Sequence, residues 1–230
     1  MNGPAFTDGI SDAEIAHFQA VLLRWFTACG RVFPWRSPSL GEYELIIAEA
    51  LLQRTRATIV AKHYEAFLHR YPNWEVLANA DPDDLIDHVR PLGMANQRVP
   101  KLLALAREMV HRNGVLPTNR LELATVPYFG HYLLYAAELL IFHRRVPLLD
   151  VNMARLLERY FGLPRRPDLR RDPPLQELAH RSVNHPDSKH LNWAILDFAT
   201  LVCRPQRPLC LDCPLNRRCH YFELELYHLL

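Results

Sequence analysis

The sequence predicts an all-α protein. Apolar residues recur at helical spacing along most of the chain, prolines separate the periodic segments, and no alternating apolar–polar run is long enough to make a strand. The chain has 230 residues, 49% hydrophobic and 23% charged. That is enough apolar mass for one compact unit or two small lobes, with too many aromatics for disorder.

The elements follow in order. Ser11-Asp12-Ala13-Glu14 has the form of a capping box, and Ile15, Phe18, Val21, Leu22 and Trp25 continue it at helical spacing. Phe33-Pro34-Trp35-Arg36-Ser37-Pro38 reads as an irregular linker. Residues 42–52 are mostly apolar and read as a buried helix. Further helices are expected over 58–71, 73–79, 83–89, 96–113, 120–125, 130–144, 152–160, 175–183 and 188–202, punctuated by Pro72, Pro82, Pro91, Pro117, Pro127, Pro147 and Pro186. Residues 165–174 form a polar loop. The total is roughly eight to eleven short helices, with no internal repeat.

Composition narrows the function. Residues 1–12 show no basic-then-apolar leader. No segment reaches the ~18 apolar residues a membrane span needs, since Leu133–Phe142 is short and contains Glu138. No membrane partner is expected, and the setting is intracellular, cytoplasmic and nucleoid-associated. Net charge is +2, yet eight arginines face three acids between Arg144 and Arg171, and Arg204, Arg207, Arg217 and Arg218 follow. Such a basic half suits a polyanion. A solvated Arg-rich surface fits equally, because the chain has 24 arginines and only three lysines, Lys62, Lys101 and Lys189.

Four places carry candidate chemistry. Four of the five cysteines lie within seventeen residues, as Cys203-x6-Cys210-x2-Cys213-x5-Cys219. Four thiolates on one loop suit a single metal centre, zinc or an iron–sulfur cluster. One Cys-x-x-Cys pair with longer outer gaps favours [4Fe-4S] over the paired units of a zinc ribbon. Cys29 stands apart and is expected in the core. The second place is Val126-Pro127-Tyr128-Phe129-Gly130-His131, a tight turn leading into a helix N-terminus, which is a phosphate site by geometry and equally an ordinary helical hairpin. The third is Asp150, between an apolar run and a helix, placed to cap that helix or to present a carboxylate at its mouth. The fourth is Glu49, in one of the most apolar stretches, where burial would raise its pKa into the range of a neutral-pH acid. The structural alternative pairs Glu49 with an arginine such as Arg98 or Arg24.

In this order the four features resemble the endonuclease III superfamily of helix–hairpin–helix DNA glycosylases, from about Ile15 to Tyr221. The cysteine spacing is similar to the family's cluster loop, the Val126–Gly130 turn stands for its hairpin, and Asp150 falls where it keeps a catalytic aspartate. Phe33-Pro34-Trp35-Arg36 and Glu49–Thr55 look like the branch holding MutY-type adenine glycosylases and thymine–guanine mismatch glycosylases. Met94–Arg98, Asp150–Asn152, Arg159–Gly162 and Asp197–Ala199 look more like the mismatch enzymes. Tyr132 takes the position that is lysine in bifunctional lyases, as in the mismatch type. Tyr128 departs from the pattern, which has glycine there.

The resemblance implies two helical lobes, residues 34–144 with the hairpin and residues 1–33 plus 145–230 with the [4Fe-4S] loop. It implies a monomeric, monofunctional glycosylase that flips a mismatched base, thymine or uracil opposite guanine, out of double-stranded DNA. Asp150 would stabilise the oxocarbenium-like sugar, Glu49 would organise water or assist departure of the base, and Tyr132 would contact that base. Gln53 and Met94 match wedge positions, with Arg54, Tyr128, Phe129, Gly130 and His131 beside the DNA. The amides of Phe129, Gly130 and Tyr132 would hold phosphate, with an alkali cation beneath. The competing readings are an adenine glycosylase acting opposite 8-oxoguanine and a cluster-bearing DNA-binding protein without catalysis.

Overall fold

The structure is a computed structural model and describes residues 9–225. It divides into two units, Met1–Arg31 with His143–Leu230, and Val32–Phe142. Among the described residues there are twelve α-helices and no strand. No helix there is long and apolar enough to cross a membrane.

The Val32–Phe142 unit holds α2 (Glu42–Leu52), α3 (Ala57–Arg70), α4 (Trp74–Ala78), α5 (Pro82–Val89), α6 (Ala95–His111), α7 (Arg120–Leu123) and α8 (His131–Leu140). The expected linker instead contains one 3-10 turn, Pro34–Arg36, because Pro34 presets the first helical φ. That turn sets Trp35 into the core, edge-on to Tyr64. α2 is buried from Ile46 to Leu51: Ile46, Ile47, Ala50 and Leu51 are at most 1% exposed, while Glu42 and Glu44 lie in its first, more open turn. Of the three acids on α2, Glu49 alone lies in the buried stretch, where an acid needs a dedicated partner.

The other unit packs α1 (Asp12–Cys29), α9 (Val151–Phe161), α10 (Pro173–Val183) and α11 (Ser188–Leu201) around Phe18, Leu22, Leu157, Leu178, Ile195 and Phe198. α1 starts at the expected capping box: Ser11 Oγ accepts from the Glu14 amide, and Glu14 Oε2 accepts from the Ser11 amide at 2.9 Å. Cys29 is exposed at the end of α1, which corrects its expected place in the core. The twelfth helix, α12 (His220–Glu225), was not anticipated. It follows Cys219 directly, and six residues carry too little periodicity to reveal it. α9 ends at Gly162 with φ +78°, and a Cβ there would lie 2.7 Å from the His220 ring. Glycine is therefore required on two counts, backbone conformation and space.

Candidate active site and candidate metal centre

In the Val32–Phe142 unit the central group is Glu49. Its side chain is buried, and the Tyr132 hydroxyl from α8 donates to Oε2 at 2.8 Å. Burial pushes the carboxyl up to about 7; the Tyr132 bond and the Arg36 guanidinium oppose the rise. A group poised near neutrality is suited to giving and taking a proton. Arg36, from the motif Phe33–Arg36, is the cation that acts on Glu49. Arg98 does not. Its Nη1 donates to Ala50 O at 2.6 Å and Leu51 O at 3.3 Å, and its Nη2 to Gln53 O at 3.0 Å and Thr55 Oγ1 at 2.9 Å. The arginine alternatives for Glu49 are thus replaced by Tyr132 and Arg36, and Arg24 lies exposed on α1.

The turn before α8 keeps the conformation a glycine would allow, with tyrosine in it. Tyr128 has φ +73°, the left-handed region that costs an L side chain about 1–2 kcal/mol. Its hydroxyl donates to Ala50 O at 3.2 Å, and Lys101 Nζ sits 5.7 Å above its ring. The Phe129 amide donates to Val126 O at 3.1 Å and the Gly130 amide to Tyr128 O at 2.8 Å. Two of the three amides expected to hold phosphate are therefore used inside the turn. The Phe129 side chain is turned into the core. Gly130 caps α8 and His131 opens it, both exposed.

Gln53 and Arg54 form the end of α2 and the loop after it, while Met94 precedes α6 and is 41% exposed. Arg54 (φ +59°) and Met94 (φ +56°) are both left-handed without being glycine. Thr55 Oγ1 donates to Leu92 O at 2.8 Å and so joins these two loops.

In the other unit Asp150 is the N-cap of α9. Oδ1 accepts from the amides of Asn152 (2.8 Å) and Met153 (2.9 Å), and Oδ2 from Asn152 Nδ2 (2.7 Å). Burial raises its pKa against the pull of these bonds and of Arg155. Asn152 Oδ1 accepts from Arg155 at 3.1 Å, and Arg155 reaches on to Ala199 O (2.7 Å) and Cys203 O (3.0 Å). Behind Asp150, the fully buried Asn192 accepts from the Leu148 amide (2.8 Å) and donates to Val146 O (3.2 Å) and Ser188 O (2.9 Å). These bonds fix the segment that delivers Asp150. Asn152 is three positions before Arg155 on one helix face, a spacing visible in the sequence; Asn192 has no such signal.

Cys203, Cys210, Cys213 and Cys219 line one pocket whose other walls include Leu156, Phe198 and Leu215. Burial pushes the Cys213 thiol up to about 12 and raises Cys210 and Cys219. Bare thiolates are thus disfavoured there. Arg159 Nη1 lies 3.5 Å from Cys203 Sγ and donates to Arg204 O at 2.7 Å, pinning the loop to α9. Among the described residues no group of three or more His, Cys, Asp or Glu is arranged to hold a metal ion.

The geometry thus pairs Glu49 with Tyr132, links Gln53, Arg54 and Met94 through Thr55 and Arg98, and gathers the four cysteines; Asp150 belongs to the second unit.

Residues 47–174 match the family model described as HhH-GPD superfamily base excision DNA repair protein. The chain is 36% identical over 209 residues to a thymine-DNA glycosylase of Aeropyrum pernix, covering 88% of this chain and 92% of that one. It is 30% identical over 207 residues to a thymine/uracil-DNA glycosylase of Methanothermobacter thermautotrophicus, covering 90% and 93%. Its fold is similar to the solved structure of a thermostable thymine-DNA glycosylase, with a TM-score of 0.82 and 28% identity over 92% of this chain and 98% of that one.

Proposed function

The chain belongs to the HhH-GPD superfamily of base excision DNA repair proteins, and from that premise we propose that it is a monofunctional DNA glycosylase removing thymine or uracil opposite guanine. The observation that carries this is end-to-end similarity to relatives named for those bases. The residues support it: a buried carboxyl near 7 is held by Tyr132, at the position where a lyase needs an amine.

The base leaves the stack before reaction. Asp150, ionised, faces the positive charge that develops on the sugar as the bond from C1′ to the base breaks. The bonding pair leaves with the base, Glu49 supplies the proton the base takes up, and water adds to C1′. The proton lost by that water restores Glu49. The product is an abasic site with an intact backbone. Gln53 and Met94 fill the gap left by the base, and the Arg-rich unit supplies affinity for phosphates. The protein acts as a monomer inside the cell.

The cysteine pocket fits a [4Fe-4S] cluster held by Cys203, Cys210, Cys213 and Cys219. Four cysteines lining a largely apolar pocket are a donor set that would suit such a cluster. When bound there, it would brace the loop after α11. Lys101, above the Tyr128 ring, takes over phosphate contact from the Phe129 and Gly130 amides.

Single-turnover cleavage on a panel of duplexes carrying T, U or A opposite G or 8-oxoguanine, developed with alkali, tests the substrate. Strand breaks at T·G and U·G are expected. Cleavage of the adenine duplex alone would overturn the assignment. Borohydride should trap no covalent adduct.

A further inference from the structure

The buried Arg98 has no place in the chemistry above, yet it makes four hydrogen bonds to one end of α2 and the loop beyond. We propose that Arg98 is a positioning residue for base extrusion, locking the loop of Gln53 and Arg54 to the turn of Met94 so that both wedges enter DNA as one piece. This rests on the glycosylase reading.

Three observations carry the inference. First, Arg98 ties the α2 loop to the turn before α6, its guanidinium on the loop and its amide on the turn. Arg98 lies in the first turn of α6, where its amide donates to Met94 O at 2.9 Å, and its Nη2 reaches Gln53 O at 3.0 Å and Thr55 Oγ1 at 2.9 Å. Thr55 Oγ1 then donates to Leu92 O at 2.8 Å, closing a ring from α6 through the α2 loop to the Leu92–Met94 turn. Second, the residues on this frame are strained. Arg54 and Met94 are held with φ of +59° and +56°, and strain of this kind persists only where neighbouring bonds over-determine it. Third, the buried charge faces the carbonyls of Ala50, Leu51 and Gln53 at the negative end of the α2 dipole. A planar fork meets four acceptors at once; the point charge of lysine cannot.

If Arg98 served only to cap α2, the Leu92–Met94 turn would be indifferent to Thr55. Two variants separate the readings. Arg98→Lys keeps the charge and loses the fork. Thr55→Val removes the bridging hydroxyl and leaves Arg98 on the α2 carbonyls. Each is compared with the unaltered chain in single-turnover excision of uracil opposite guanine and of uracil opposite an abasic site, which has no pair to break. The expected result is a loss of about tenfold for Arg98→Lys and about threefold for Thr55→Val on the guanine duplex, with changes within about twofold opposite the abasic site. Equal losses on both duplexes, or none on either, overturn the proposal. A second readout does not depend on cleavage: fluorescence of 2-aminopurine beside the mispair should rise when the unaltered chain binds, and the rise should fall in both variants. Absence of excision by the unaltered chain counts against the glycosylase assignment alone. Absence of a fluorescence rise, or a rise preserved in both variants, counts against Arg98.

Discussion

Glu49 and Asp150 are both desolvated carboxylates, and the two units hold them in opposite ways. Glu49 sits mid-helix in an apolar stretch and accepts from Tyr132 at 2.8 Å, with Arg36 acting from further off. Asp150 lies at a helix mouth and accepts three bonds from Asn152 and Met153. One carboxyl is costly to the fold, the other helps build it. Removing either group should therefore harm excision, but only one removal should harm stability.

The largest effect on this contrast is expected from Asp150→Ala. It should lower single-turnover excision by about 10²–10³ and destabilise the chain by about 1 kcal/mol through the lost cap. Paired rate and thermal-melting measurements check both parts, and a variant that melts earlier yet excises normally would leave Asp150 only its capping role. Glu49→Gln should cost about 10²-fold in rate with no loss of stability above neutral pH. The sign follows from the carboxyl titrating near 7 in the fold and near 4.5 when unfolded. The folded chain holds the extra proton between those values, so this contribution to stability is lost as pH rises through the window, and the Gln variant lacks that loss. The excision rate should likewise fall as pH rises through about 7, with the limb absent in Glu49→Gln. On the other side of the comparison, Asn192→Ala should cost about 1–3 kcal/mol by stranding the Leu148 amide, and should slow excision because the approach to Asp150 loosens. The smallest effect is Tyr132→Phe. Loss of a bond that lowers the Glu49 pKa should move the alkaline limb of the pH–rate profile upward.

The same contrast governs what the sequence made legible. The capping box at Ser11, the α2 boundaries at Glu42 and Leu52, and the convergence of four cysteines rest on local spacing, and local spacing is written in the chain. Asp150 as a cap was likewise readable from the polar residue preceding a helix. The surroundings of Glu49 were not, because Tyr132 lies 83 positions away. Arg98, an expected partner for Glu49, instead binds carbonyls of the same helix, a choice decided by side-chain direction rather than by proximity in sequence. The left-handed Tyr128 was unreadable for another reason. Its residue type predicts against its conformation, and tertiary contacts support it: the bond to Ala50 O, the Arg98 guanidinium and the Lys101 contact. Cys29 failed as a core residue because its helix ends where solvent begins.

The meeting of Gly162 with the His220 ring has a consequence for tolerance to change. A left-handed backbone excludes most side chains at position 162, and the ring excludes even the smallest of those that remain. Relief at one partner does not free the other: shrinking His220 would make room for a Cβ and still leave the backbone demand. In a library that replaces every residue in turn, position 162 should return only glycine among active clones, and a His220→Ala background should widen that to asparagine and the few others that bear a left-handed backbone at about 1–2 kcal/mol.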